Sequence, residues 1–227
     1  QMVGMLTNEI ITSLGVSTKQ DILKAPTINA DAYEYYLKGK HKFERIQTLA
    51  DVEIARELLQ KAIKIDNGLI SAKIKLGETY EKYDDSDKAM EIYEETLNQS
   101  EKHGDKKNMA ISLRKIGVIN YKKYDYNKAL DFFTRSLELS ELINDKSLIS
   151  MALNNIGVFY GKQDNKDKEI EYLTRSLKLA EEIGDKYKIA FVAINIGDLN
   201  SNKGDYDTAL EYYSRSLKIA EELGNKM

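Results

Sequence analysis

Cysteine is absent from this chain. That removes disulfide scaffolds, thiolate zinc sites and cysteine nucleophiles, and it fits a cytosolic, cytoplasmic protein. A single proline, Pro26, stands among 227 residues. So few helix breakers favour long helices over a turn-rich β fold. No apolar run approaches the ~20 residues that a membrane helix needs, and Gln1-Met2-Val3-Gly4 lacks the basic start of a signal peptide. An excess of positive charge is missing too. Lys and Arg number 34 against 37 Asp and Glu, a net charge of -3, which argues against a surface built throughout for nucleic acid. What remains is 42% apolar and 31% charged residues, a composition that folds around its own core.

Chemistry-bearing constellations are also scarce. The two histidines, His41 and His103, lie far apart and read as surface residues. Gly161-Lys162-Gln163 lacks the glycine frame of a phosphate loop. Asp84-Asp85-Ser86-Asp87 and Asp164-Asn165-Lys166-Asp167 lack the spacing of a calcium loop and read as polar turns. No catalytic residues, no metal site and no cofactor are expected.

What is present is periodicity. Gly77, Gly117, Gly157 and Gly197 recur every 40 residues, each after Leu or Ile. Ala89, Ala129, Glu169 and Ala209 follow in the same period, then Tyr93, Phe133, Leu173 and Tyr213. Gly104, Asn144, Gly184 and Gly224 form a third marker, each followed by Asp or Asn. Seven of 13 glycines share one register, which chance does not produce.

Each block reads as two helices. Ala129, Phe133 and Leu137 make one helical stripe. The Gly or Asn of the third marker suits a left-handed residue closing a helix, and the following Asp or Asn suits the next N-cap. Helix A is expected over roughly 107–123 and helix B over roughly 126–143 in one block, with the others alike.

Gly, an aromatic three residues on (Tyr80, Tyr160), Ala twelve on and an aromatic sixteen on resemble the tetratricopeptide repeat pattern. The unit here is 40 residues without the closing proline, which resembles the long-repeat subtype of Pins-type and Rapsyn-like scaffolds and of many bacterial signalling proteins. The resemblance implies an all-α, right-handed superhelical solenoid of antiparallel helix pairs. The expected organisation is a short helix and linker over 1–29, then a solenoid over 30–227. Its repeats are expected at about 31–67, 68–104, 105–144, 145–184 and 185–224, the first carrying four residues inserted between its helices. Thr7–Leu14 reads as the short helix and 17–29 as the linker. Residues 6–11 and 32–39 resemble the junction between a TolB-like domain and the repeats of some bacterial nucleotide cyclases and kinases; a generic capping helix is the other reading. The missing initiator Met and the stop at Met227 suggest a fragment of a longer protein.

The resemblance implies a protein-interaction scaffold that is not an enzyme and receives a partner peptide or helix in a concave groove lined by the A helices. Carried over by register, the groove residues include Ile74, Lys75, Glu78, Glu81 and Lys82; Arg114, Lys115, Val118, Tyr121 and Lys122; Asn154, Asn155, Val158 and Lys162; and Ile194, Asn195, Asp198 and Asn202. The lysines imply a partner with an acidic segment, and the asparagine amides a hold on its backbone. A solvated helix face is the alternative for each. A regulatory segment of a larger signalling enzyme, with its chemistry elsewhere, is the second functional reading. RNA binding by a pentatricopeptide-type repeat is a third, opposed by the acidic balance and the 40-residue unit. Two further expectations concern packing. Glu169 stands where a small residue is needed, so the packing must open or the carboxylate must reach outward. Ala209, Tyr213, Leu217 and Ala220 should face outward at the C-terminal edge and support weak self-association through the last helix.

Overall fold

The computed structural model describes residues 29–83 and 85–224. The helix expected over Thr7–Leu14 and the linker expected over 17–29 lie outside them, except for Asn29. Among the described residues every regular element is an α-helix: α1 (Ala30–Glu44), α2 (Leu49–Ile65), α3 (Ile70–Lys82), α4 (Ser86–His103), α5 (Lys106–Lys122), α6 (Tyr126–Leu142), α7 (Lys146–Lys162), α8 (Lys166–Glu182), α9 (Lys186–Lys203) and α10 (Tyr206–Glu222). The fold is an all-α solenoid of helix pairs. It divides into two compact units, residues 1–98 and 99–227, so the division falls within α4.

From α3 onward one turn design recurs, ending one helix and starting the next; at its first use the Asp85 N–H reaches the Tyr80 carbonyl at 3.0 Å. The N–H of Asp105 reaches back to the Ser100 carbonyl at 2.9 Å, five residues upstream, and Asp125, Asp145, Asn165, Asp185 and Asp205 do the same at 2.9–3.0 Å. This six-to-one bond closes a helix through a left-handed residue. That residue is Gly104 (φ 65), Asn144 (φ 52) and Gly184 (φ 65) between blocks, and Tyr124 (φ 64), Asp164 (φ 56) and Gly204 (φ 80) within them. The same Asp or Asn then caps the following helix, as when Asp105 Oδ1 accepts from the Asn108 N–H at 3.0 Å.

In the first unit, α1–α3 and most of α4 enclose Ala32, Leu59, Ala62, Leu69, Ala72 and Leu76. A Cβ on Gly39 would meet Leu59 Cγ at 2.8 Å, whereas one on Gly77 would fall on the ring of Tyr93. The paired residues are thus 20 apart in the first pair and 16 in the second, which accommodates the four extra residues around the α1–α2 turn. The Arg56 guanidinium lies 4.0 Å from the Tyr80 ring centre and its Nε donates to Thr79 Oγ1 at 3.2 Å.

The second unit repeats one pairing three times. Lys146 at the start of α7 meets Glu182 at the end of α8 at 2.9 Å, and Lys186 of α9 meets Glu222 of α10 at 2.8 Å, so partners run antiparallel. Inside each pair a large side chain fills the space above a glycine. A Cβ on Gly117 would stand 2.6 Å from the Phe133 ring, on Gly157 2.9 Å from Leu173, and on Gly197 2.6 Å from Tyr213. Each A helix also packs on the preceding B helix: α7 on α6, and α9 on α8. The interface of α8 and α9 buries Leu173, Leu177, Ile189, Val192, Ile196 and Leu199.

Two expectations change. Glu169 is buried at 9% exposure, neither reaching out nor prying the helices apart. Gly161 makes the room: a Cβ there would fall on the Glu169 carboxylate. At the C-terminal edge Leu217 is exposed as expected, joined by Tyr206 and Leu210, whereas Ala209 and Ala220 are buried and Tyr213 is half-buried. Among the described residues no helix is long and apolar enough to cross a membrane.

Candidate functional site

The A helices of the second unit lie side by side, α5 touching α7 and α7 touching α9. Their first side-chain link is an amide pair: Asn195 Nδ2 on α9 donates to Asn154 Oδ1 on α7 at 2.7 Å. This bond joins two residues that sequence register assigns to the groove, 41 apart in the chain. Asn154 is nonetheless buried, as is Arg114 in the matching place on α5. These two support the surface from below and are not its exposed lining, a correction to their expected place. Side chains one residue further on are half-buried: Lys115, Asn155 and Asn195. The Asn155 amide nitrogen is enclosed without a hydrogen-bond partner.

Lys122 and Lys162 close the last turns of α5 and α7 and are exposed, with Asn202 in the same register on α9. Tyr121 is half-buried, edge-on to Tyr126 with ring centres 5.4 Å apart. Its hydroxyl is harder to ionise than usual, first through burial and then through Tyr126 and Glu169. Asp198 is exposed and accepts a hydrogen bond from the Tyr213 hydroxyl at 2.7 Å. That bond pushes the tyrosine's pKa up.

Lys75, Glu78 and Lys82 belong to the first unit. Lys75 and Glu78 pair with each other at 2.6 Å, which offsets both charges. Lys75 and Lys82 also lie over the Phe43 ring, 5.6 and 5.5 Å from its centre.

An apolar row accompanies the polar groups and was not anticipated. Ile111, Met151 and Phe191 lie 40 residues apart, six before each repeat glycine and three before Arg114, Asn154 and Ile194. That spacing puts them on the same helix face as the polar row. Ile111 and Met151 are half-buried, while Phe191 is 57% exposed and Tyr187, one turn before it, 59%. Val118 and Val158, which register already assigns to the groove, are half-buried and extend the apolar content toward the other end. The signal was the 40-residue period itself.

Among the described residues no cluster of three or more His, Cys, Asp or Glu could hold a metal ion. The arrangement offers donors, apolar contacts and positive charge along three parallel helices, which suits holding an extended or helical segment.

Comparison with known proteins agrees with the helical-repeat fold. The family model described as Tetratricopeptide repeat matches residues 68–142 and 148–222, more than half of the chain. No curated protein matches the sequence significantly. Among solved structures, BtubC (BKLC) from P. vanneervenii is similar at TM-score 0.66 and 18% identity, covering 98% of this chain and 93% of its own. A Rap protein complexed with Competence and Sporulation Factor is similar at TM-score 0.74 and 18% identity, covering 96% of this chain and 63% of its own. Aspartyl phosphate phosphatase F from Bacillus subtilis is similar at TM-score 0.68 and 16% identity, covering 87% of this chain and 52% of its own. At these identities the structural likeness speaks for the fold, and the repeat match for the family. The chain belongs to the tetratricopeptide repeat family.

Proposed function

We propose that the α5–α7–α9 face of the second unit binds a peptide or helix of a partner protein, and that the chain acts as a non-enzymatic interaction module. The observation that carries this reading is the Asn154–Asn195 bond beside the Ile111–Met151–Phe191 row, with Phe191 and Tyr187 left exposed. Exposed aromatics on a helix face that also bears amides are uncommon on a purely solvated surface. The ligand's apolar side chains would rest on that row. Its acidic segment would meet Lys115, Lys122 and Lys162, and its backbone would meet Asn155 and Asn195. The 40-residue period without a closing proline also supports placing the chain in the long-repeat, Pins-like subtype. The Rap protein solved with Competence and Sporulation Factor is in keeping with a ligand-receiving role for this fold.

Self-association is a second, weaker contact in this reading. Tyr206, Leu210 and Leu217 stand 60–66% exposed along α10. Their counterparts Ile170 and Leu177 on α8 lie in the α8–α9 interface.

Peptide selection from a random displayed library on the immobilised chain tests the binding face. Selected sequences should combine acidic and apolar residues, bind less tightly as salt rises, and lose binding to the double variant Lys122→Glu and Lys162→Glu. Peptides that bind wild type and double variant equally at low and high salt would overturn the proposal.

A further inference from the structure

Glu169 is the one group at this face whose chemistry the binding reading leaves unused. It belongs to α8, behind the A helices, yet its charge is felt by Tyr121 on α5 and it is affected in turn by Asp198 and Lys203 on α9. Those groups flank α7 on either side. The carboxylate therefore reaches forward into the A-helix layer, and the place where it passes is Gly161. The corresponding residues elsewhere are Glu81, Tyr121 and Ser201, all with side chains, while the residue opposite Glu169 in register is Ala89, Ala129 or Ala209. Bulk has been moved from the front helix to the back helix in this repeat alone. The result is a notch floored by Gly161, which is half-buried, and filled by a carboxylate.

That carboxylate is incompletely satisfied. Glu169 is nine-tenths buried and its Oε2 has no hydrogen-bond partner. Burial raises its pKa; Lys166 and Lys203 oppose the shift from a distance, while Asp164 and Asp198 add to it. Neither lysine donates a hydrogen bond to it. A buried carboxylate in this state lacks a donor that also carries positive charge, and an ammonium or guanidinium supplies both. Asp198, exposed on the neighbouring helix, adds attraction for the same cation.

We infer that the Gly161 notch is a subsite for a cationic side chain, lysine or arginine, of the bound segment, with Glu169 as its acceptor. The inference rests on the binding reading above and adds a sequence requirement to it: a basic residue flanking the acidic segment that meets Lys122 and Lys162. Arginine fits best, because its planar fork can satisfy both carboxylate oxygens once the side chain turns toward the notch.

The test uses the full chain with 13C-labelled glutamate and two probes that differ in charge. N-acetyl-arginine methylamide should shift the Glu169 carboxyl resonance saturably, and N-acetyl-citrulline methylamide, of the same shape without the charge, should not. Two variants guard the assignment. Glu169→Gln removes the resonance and so assigns it, and Gly161→Ala fills the notch and should abolish the response while the far-UV spectrum and unfolding midpoint stay folded-like. Library peptides that contain arginine should bind Glu169→Gln about tenfold less tightly than wild type, the loss of one charge-assisted hydrogen bond. Equal responses to arginine and citrulline, or no response to either, overturn the subsite even if acidic peptides are still captured. An arginine-specific response with no captured peptide would uphold the notch and overturn the groove reading instead.

Discussion

Exchanging the bulk of Glu169 and Gly161 back to the usual arrangement should stabilise the protein, and the size of the effect can be worked out. The unpartnered Oε2 carries a desolvation cost of about 1–3 kcal/mol. Glu169→Ala removes it, but forfeits the burial of one methylene group, Cγ, at about 0.8 kcal/mol. The net gain at pH 8 is about 0.5–2 kcal/mol. Gly161→Ala alone gains about 1 kcal/mol of helix propensity, opposed by the displaced carboxylate. The double variant keeps both gains without the collision, so the two changes should couple favourably. The pH dependence follows from the direction of the shift. The folded pKa of Glu169 is raised by burial. The stability of the neutral form is therefore present below the unfolded pKa and lost as pH rises through the folded pKa. The gain in Glu169→Ala should accordingly be present at pH 8 and shrink or reverse at pH 4. Urea unfolding followed by circular dichroism at both pH values reads this. A less stable Glu169→Ala at pH 8 would refute the reasoning and reveal a partner for the carboxylate inside the fold.

Gly117→Ala should destabilise by about 1–3 kcal/mol, because the new Cβ would stand 2.6 Å from a buried phenylalanine ring, and Phe133→Leu should restore only part of the loss, because a Cβ facing leucine at Gly157 would still stand 2.9 Å away. Thermal unfolding of both variants checks this, and a neutral Gly117→Ala would contradict it. Leu217→Lys should abolish weak, concentration-dependent association with little change in unfolding midpoint; sedimentation of a strict monomer in the wild type would remove that contact.

Most of the fold was legible in the sequence because each feature is written several times. Helix ends were readable at Gly104, Asn144 and Gly184, where a residue suited to positive φ precedes a capping Asp. At Tyr124 the place of the turn is legible from the period, but its left-handed backbone is not, since a tyrosine gives no warning of one. Glu169 departs visibly from the period, whereas Gly161 carries no signal in the sequence beyond the incomplete phosphate-loop pattern Gly161-Lys162-Gln163. Their complementarity escaped notice because eight residues of sequence separate two helices that the fold presses together. In the candidate site, register placed the residues on one helix face but could not rank their depth. Arg114 and Asn154 are buried because the A helices touch there, a distance that no single helix encodes. The Ile111–Met151–Phe191 row was hidden by its changing residue types, and an aromatic in a helix is core by default until exposure says otherwise.

The central claim is that the α5–α7–α9 face receives the partner. Photo-crosslinking reads it most directly: a photoreactive amino acid placed singly at Met151 on that face, or at Glu171 exposed on α8, is irradiated with a library-selected peptide. The account predicts a crosslinked peptide from Met151, suppressed in Lys122→Glu and Lys162→Glu, and none from Glu171. Crosslinking from Glu171 with none from Met151 would contradict it.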